Sequence, residues 1–119
     1  FDGNRRREIK NARIAIENAQ LQQDDMRQAL KADLSNLWQA YQNNIEMLKL
    51  ERENLIAAVE NHEIASERYM LGNLSGIEMR EAQKSLLDAE ERILSAEYDT
   101  KMCEISLLQL SGKITKYLE

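Results

Sequence analysis

Apolar positions recur in steps of three and four along nearly the whole chain. In the second half the series runs Met79, Ala82, Leu86, Ala89, Ile93, Ala96, Thr100, Cys103, Leu107, Leu110 and Ile114. Alternating steps of three and four place side chains on one stripe of an α-helix and form a coiled-coil seam. Every second member from Ala82 to Cys103 is small, which lets a neighbouring helix come close, and Thr100 is its polar interruption. The first half carries two registers. Ile9, Ala12, Ile16, Ala19, Gln23, Met26 and Leu30 form one; Leu34, Leu37 or Trp38, Tyr41, Ile45, Leu48, Leu55, Val59, His62 and Tyr69 form the other. The step between them, near Leu30–Trp38, has the form of a four-residue stutter, which locally unwinds a supercoil.

Glycine and proline show where these helices stop. The chain has no proline and four glycines, at 3, 72, 76 and 112. Between them lie good helix formers. A helix of about 67 residues far exceeds the usual globular length and implies a coiled coil or helical repeat. The predicted fold is all-α, a single long antiparallel helical hairpin with unequal arms. Its long helix spans about 4–71, its tip turn 72–76, its short helix about 77–111 and its tail 112–119. Folding the chain at the turn sets Tyr69 against Met79, His62 against Leu86, Leu55 against Ile93, Leu48 against Thr100, Tyr41 against Leu107 and Leu34 against Ile114. One register thus holds from the turn to the end of the short arm.

The turn has its own chemistry. Gly72 suits the left-handed conformation that closes a helix C-terminus. Ser75 and Glu78 form a capping box, with Leu74 and Met79 as its hydrophobic staple. At the far end the first ~30 residues have no partner in the hairpin, yet they carry Ile9, Ile14, Ile16, Leu21, Met26 and Leu30, and an apolar stripe of this kind packs on something. Self-association through residues 9–30 is therefore expected of an isolated hairpin. A second stripe lies off the main seam: Leu50, Ile56 or Ala57, Ile64 and Leu71 on the long arm, and Leu87, Leu94, Tyr98 and Ile105 on the short one. It fits either a helix in a layer or barrel wall with neighbours on both sides, or the wide stripe of an ordinary core-facing helix.

Composition narrows the function. The net charge is −5, with 16 basic and 21 acidic residues interspersed, unlike the clustered Lys and Arg that give nucleic-acid affinity. The basic run Arg5-Arg6-Arg7 with Lys10 reads as a solvated first turn. The single cysteine, Cys103, falls on a seam position and reads as a small buried hydrophobe. No apolar run approaches the ~18 residues of a membrane-spanning helix. The chain opens on Phe1 without a secretory leader, so a processed product or an excised segment is expected. His62 sits on the seam with no second ligand nearby. The carboxylate pairs Asp24-Asp25 and Glu90-Glu91 point about 100° apart and do not converge. Ser75 has no base beside it, and its capping role accounts for it. No catalytic residue, cofactor site or metal site is expected.

The residues resemble a family. Phe1-Asp2-Gly3 opens a long helix rich in Arg, Ala and Gln; it ends in Glu67-Arg68-Tyr69-Met70-Leu71-Gly72-Asn73-Leu74-Ser75-Gly76-Ile77-Glu78, followed by Ala82-Gln83 and a close at Leu110-Ser111-Gly112. Order, spacing and unequal arms together resemble the second structural repeat of TolC-like outer-membrane efflux proteins, over nearly the whole chain. The resemblance implies a trimer with a β-barrel in the outer membrane and an α-helical barrel across the periplasm of a Gram-negative bacterium, serving type I secretion or multidrug export. It implies contact with the membrane only through other parts of the protein, and partnership with a periplasmic adaptor and an inner-membrane transporter. A second short helix, preceding Phe1, would cover the bare half of the long arm, where Ile9, Ile16, Leu21, Met26 and Leu30 await a partner. The corner would be the periplasmic tip, with Tyr69, Leu71, Gly72, Asn73, Leu74 and Ser75 meeting the adaptor. Some relatives close the entrance with a tip tyrosine and an arginine just after the glycine. Tyr69 matches the tyrosine, but Leu74 stands in the arginine's place.

Two other classes fit the chain less well. A stand-alone coiled-coil module or a periplasmic adaptor hairpin would have matched arms, which these are not. A di-iron helical bundle needs Glu-x-x-His motifs on facing helices, and the chain has a single histidine.

Overall fold

The computed structural model describes residues 2–118. Two helices make up the molecule: α1, Asp2–Met70, and α2, Gly76–Leu118, joined by a turn at residues 71–75. No strand occurs among the described residues. The all-α unequal hairpin expected from the sequence is the fold.

Its shape follows from helix geometry. The 69 residues of α1 rise about 1.5 Å each and give ~104 Å; the molecule measures 104 × 23 × 14 Å. Its thickness is little more than one helix with side chains, about 10–12 Å, and its width is two. The hairpin is a ribbon two helices wide and one thick. The Cα radius of gyration is 28.4 Å, against about 13.5 Å for a compact domain of this length. The accessible surface is 9823 Å², where a compact chain of this mass exposes roughly 6,600 Å². The difference lies mainly on the two broad faces, the two edges and the bare end of α1.

Among the described residues the interior is the line where the arms meet. Met79, Ala89 and Ala96 are its buried apolar residues among those described, and Ala89 is 0% exposed. Every member of the α2 series from Met79 to Ile114 is buried or half-buried. On α1 the expected members Leu34, Leu37, Tyr41, Leu48, Leu55 and His62 are half-buried, and at the Leu37/Trp38 choice Leu37 turns inward. Three expected members are corrected. Ile45 and Val59 lie at the rim, and Tyr69 is half exposed although Met79 opposite is buried. Asn44 and Ala58 take the places of Ile45 and Val59, and Glu51 and Ala65 fill steps that the expected series left out; all four are half-buried or buried. Stepping by three and four from Leu48 leads to these residues. A larger apolar neighbour one position along sits about 100° away and cannot replace them.

Three polar residues of the seam, Asn44, Thr100 and Glu51, are paired. Asn44 Nδ2 donates to Cys103 Sγ at 3.0 Å. Thr100 Oγ1 donates to the Ala96 carbonyl at 2.7 Å and lies 3.3 Å from that of Asn44. Arg92 Nε donates to Glu51 Oε2 at 3.1 Å. These contacts fall somewhat nearer the tip than the predicted pairing, which sets Asn44 opposite Glu104 and Glu51 opposite Glu97.

The helix bounds differ at three places. The expected stop at 111 and tail from 112 are corrected, because α2 runs through Gly112 to Leu118. An interior glycine costs only about 1 kcal/mol relative to alanine, and Ile114, half-buried, continues the seam beyond it. α1 begins at Asp2, not near residue 4. The turn is 71–75, since Gly76 is already the first residue of α2. The stutter near Leu30–Trp38 leaves α1 unbroken. Phe1 and Glu119, at the ends of the expected motif and tail, lie outside the described residues.

Candidate functional site

The apex is held by backbone hydrogen bonds. Asn73 N–H donates to the Arg68 carbonyl at 2.8 Å and Gly72 N–H to that of Tyr69 at 3.1 Å. These two bonds are the Schellman pattern, and the C′ position requires a left-handed residue. Gly72, at φ 77°, supplies it. On the α2 side, Ser75 Oγ accepts the Glu78 N–H at 3.1 Å, and the Ser75 carbonyl accepts from Met79 N–H at 3.0 Å. Arg68 in the last turn of α1 and Glu78 in the first turn of α2 have the signs that the helix dipoles favour. Arg68 Nη2 also donates to the Asn73 carbonyl at 3.4 Å.

A corner satisfied by its own main chain frees its side chains. Met70 is 85% exposed, Leu71 75%, Ile77 69% and Tyr69 51%. Gly72, Asn73 and Ser75 are exposed, and Leu74 is half-buried. Of the expected tip residues, then, Tyr69 and Leu71 present apolar surface at the extreme end. Gly72 and Ser75 shape the corner, and Leu74 turns partly inward. Sequence reading passed over Met70 and Ile77, which flank the turn and extend the same apolar cap.

The expected assembly residues lie on the bare end of α1. Ile9, Ile16, Leu21 and Met26 are exposed and Leu30 is half-buried. They do not form one face. Ile9, Ile16, Met26 and Leu30 share a stripe, whereas Leu21, with Ile14, falls on the opposite side at 100° per residue. Where the arms part, Met26, Leu30, Lys113 and Lys116 line an open notch.

Both long edges of the ribbon also carry exposed apolar residues. On α2, Leu87, Leu94, Tyr98, Ile105 and Leu108 are exposed and follow steps of seven, four, seven and three, a second coiled-coil seam on the side away from α1. On α1, Leu50, Ile64 and Leu71 are exposed with Ala57 between them. Trp38 is exposed, its ring 5.9 Å from that of Tyr41 at 42°. It fills no gap between the arms.

The chemistry of catalysis has little to build on. His62 is half-buried, and its carbonyl accepts from Ser66 Oγ at 2.9 Å. Among the described residues no group of His, Cys, Asp and Glu is arranged to hold a metal ion. No described helix is long and apolar enough to cross a membrane. What the geometry offers is surface for other helices: an apolar tip, two seamed edges and an uncovered arm.

The family model for outer membrane efflux proteins matches residues 1–113, which takes in the corner, all of α1 and most of α2. No match was found among curated proteins or among solved structures. On the strength of that match, the chain belongs to the outer membrane efflux protein family, a family of transport channels and not of enzymes.

Proposed function

We propose that this hairpin is a length of the periplasmic wall of an efflux duct and that its apex docks a periplasmic adaptor. The observation that carries the reading is the ribbon itself. It is one helix thick, and exposed apolar residues line both of its edges. A helix that is apolar on opposite sides needs a neighbour on each, and a sheet of helices closed into a barrel supplies both. In such a wall the bare stripe through Ile9, Ile16, Met26 and Leu30 is covered by a further short helix of the parent protein. The parent assembles as a trimer in the outer membrane of a Gram-negative bacterium. It works with an adaptor and an inner-membrane transporter, and its hairpins run toward the cell interior.

The apex supports the docking role. Its backbone is closed by its own hydrogen bonds, so Met70, Leu71 and Ile77 are held out at the far end of the duct. Exposed apolar patches rimmed by polar residues mark protein contacts. A photo-crosslinking residue at Leu71 or Asn73 of the parent protein in its membrane tests this. Adducts to an adaptor hairpin are expected from the tip and not from Asn61, about 15 Å back from Leu71 on a broad face. Adducts from Asn61 but not from the tip would refute docking at the apex.

A further inference from the structure

The acidic residues on the outer side of α1 are ordered. Glu46, Glu53, Glu60 and Glu67 recur at every seventh position, and Leu50, Ala57, Ile64 and Leu71 alternate with them in steps of four and three. All of these residues are exposed. The steps are those of a coiled-coil seam, and at 100° per residue the row lies opposite the line that packs on α2. Half of a complete outer seam is therefore glutamate. Successive carboxylates are about 10.5 Å apart along the axis, too far to share a bound ion. A helix with the same repeat and the opposite charge is the complementary object.

The outer edge of α2 has that character. Arg80, Lys84 and Lys101 are exposed and stand on the same heptad stripe as Leu87, Leu94 and Tyr98. The heights match as well. Asn44 meets both Cys103 and Thr100, so its level falls between them. Continued along the ribbon, that register sets Glu67, Glu60 and Glu46 each within about two residues, ~3 Å, of Arg80, Lys84 and Lys101. Glu53, level with Leu94 and Glu91, is the unmatched acid. Lys101 has only a 3.6 Å exposed contact to Glu104 within its own helix, which competes weakly.

We infer that the glutamate-lined edge of α1 docks the short-helix edge of a neighbouring hairpin that stands with its tip at the same end and presents Lys or Arg at heptad spacing. The inference rests on the wall reading above and adds the chemistry of the partner. The charged row sets the height at which neighbours stand, because the apolar members alone repeat every heptad and allow a slip. A slip by one heptad moves Glu67 from Arg80 to Leu87 and Glu46 from Lys101 to Leu94 or Leu108.

The test uses the parent protein assembled in its membrane. A photo-crosslinking residue at Glu53 is expected to join a peptide from a short helix with basic residues on that spacing, whether from this chain's α2 or from another hairpin. Replacing all four glutamates by lysine is expected to lower the share of oligomer surviving mild detergent about tenfold or more, since like charges facing each other across an interface cost several kcal/mol. The Glu→Gln set should keep most of it. Equal survival of the lysine and glutamine sets would overturn the inference, as would an adduct at Glu53 to lipid or to a helix without basic residues. A second crosslinker at Tyr98 separates the two readings. Adducts at Tyr98 with none at Glu53 overturn this inference alone, and silence at both overturns the wall reading too.

Discussion

Replacing Arg92 with methionine should destabilise the hairpin, whereas replacing its partner Glu51 with leucine should not. The Glu51 side chain is 11% exposed and the Arg92 side chain 51%, joined at 3.1 Å. Glu51 is also the one charged residue buried between the arms among those described. Truncating Arg92 leaves a carboxylate in the seam without its donor, which costs on the order of 1–3 kcal/mol. The half-exposed arginine and the residual exposure of the Glu51 side chain put the expectation at the low end, about 1–2 kcal/mol. Leucine at 51 removes the buried charge and fills the seam level with Ile93 and Ala96. Apolar replacement of a buried ion-pair member of this kind is often neutral or stabilising. Urea unfolding followed by helical circular dichroism, at one fixed protein concentration, measures both, and the double variant should resemble Glu51→Leu alone. Equal losses for the two single variants, or no loss for Arg92→Met, would refute the argument that burial of the carboxylate governs the site.

Two glycines should respond with opposite signs. Gly72 holds φ 77° with open space around it, and Gly112 lies inside α2, also with open space. Gly72→Ala should cost about 1–2 kcal/mol, the left-handed penalty of an L-residue, while Gly112→Ala should gain up to ~1 kcal/mol of helix propensity; thermal midpoints report both. Ser75→Ala, which removes the cap on Glu78 N–H, should cost about 1 kcal/mol and fray the start of α2 in amide exchange. Ala89→Leu, at a fully buried position between the arms, should cost about 1–3 kcal/mol by overpacking. The same change at exposed Ala57 should leave the unfolding midpoint within ~0.5 kcal/mol.

Much of the fold was legible because it is built from one repeat. The series from Met79 to Ile114 needed only counting, and the antiparallel pairing followed from glycines at one corner. Errors came where hydrophobicity was followed in place of period. Asn44 and Glu51 occupy the seam although Ile45 is the more apolar residue of its pair, since geometry decides which side chains point inward. Their partners Thr100, Cys103 and Arg92 lie some fifty residues away in the chain and left no local sign. Gly112 was read as a stop, but a glycine within a helix that still has seam to bury does not end it. At the apex, the cap and the left-handed glycine were readable because each is a local rule. The outward turn of Met70 and Ile77 depends on where the two helix ends come to lie together.

The central claim is that both edges of the ribbon are covered in the assembled protein. The direct measurement is thiol labelling in a Cys103→Ser background, with single cysteines at Leu94 on the α2 edge, Ile64 on the α1 edge and Asn61 on a broad face. Comparison is between the parent protein in its membrane and this hairpin alone at low concentration. Leu94→Cys and Ile64→Cys are expected to react about tenfold or more slowly in the assembly, while Asn61→Cys stays accessible from one side of the wall. Labelling at Leu94 and Ile64 as fast in the assembly as in the isolated hairpin would contradict it.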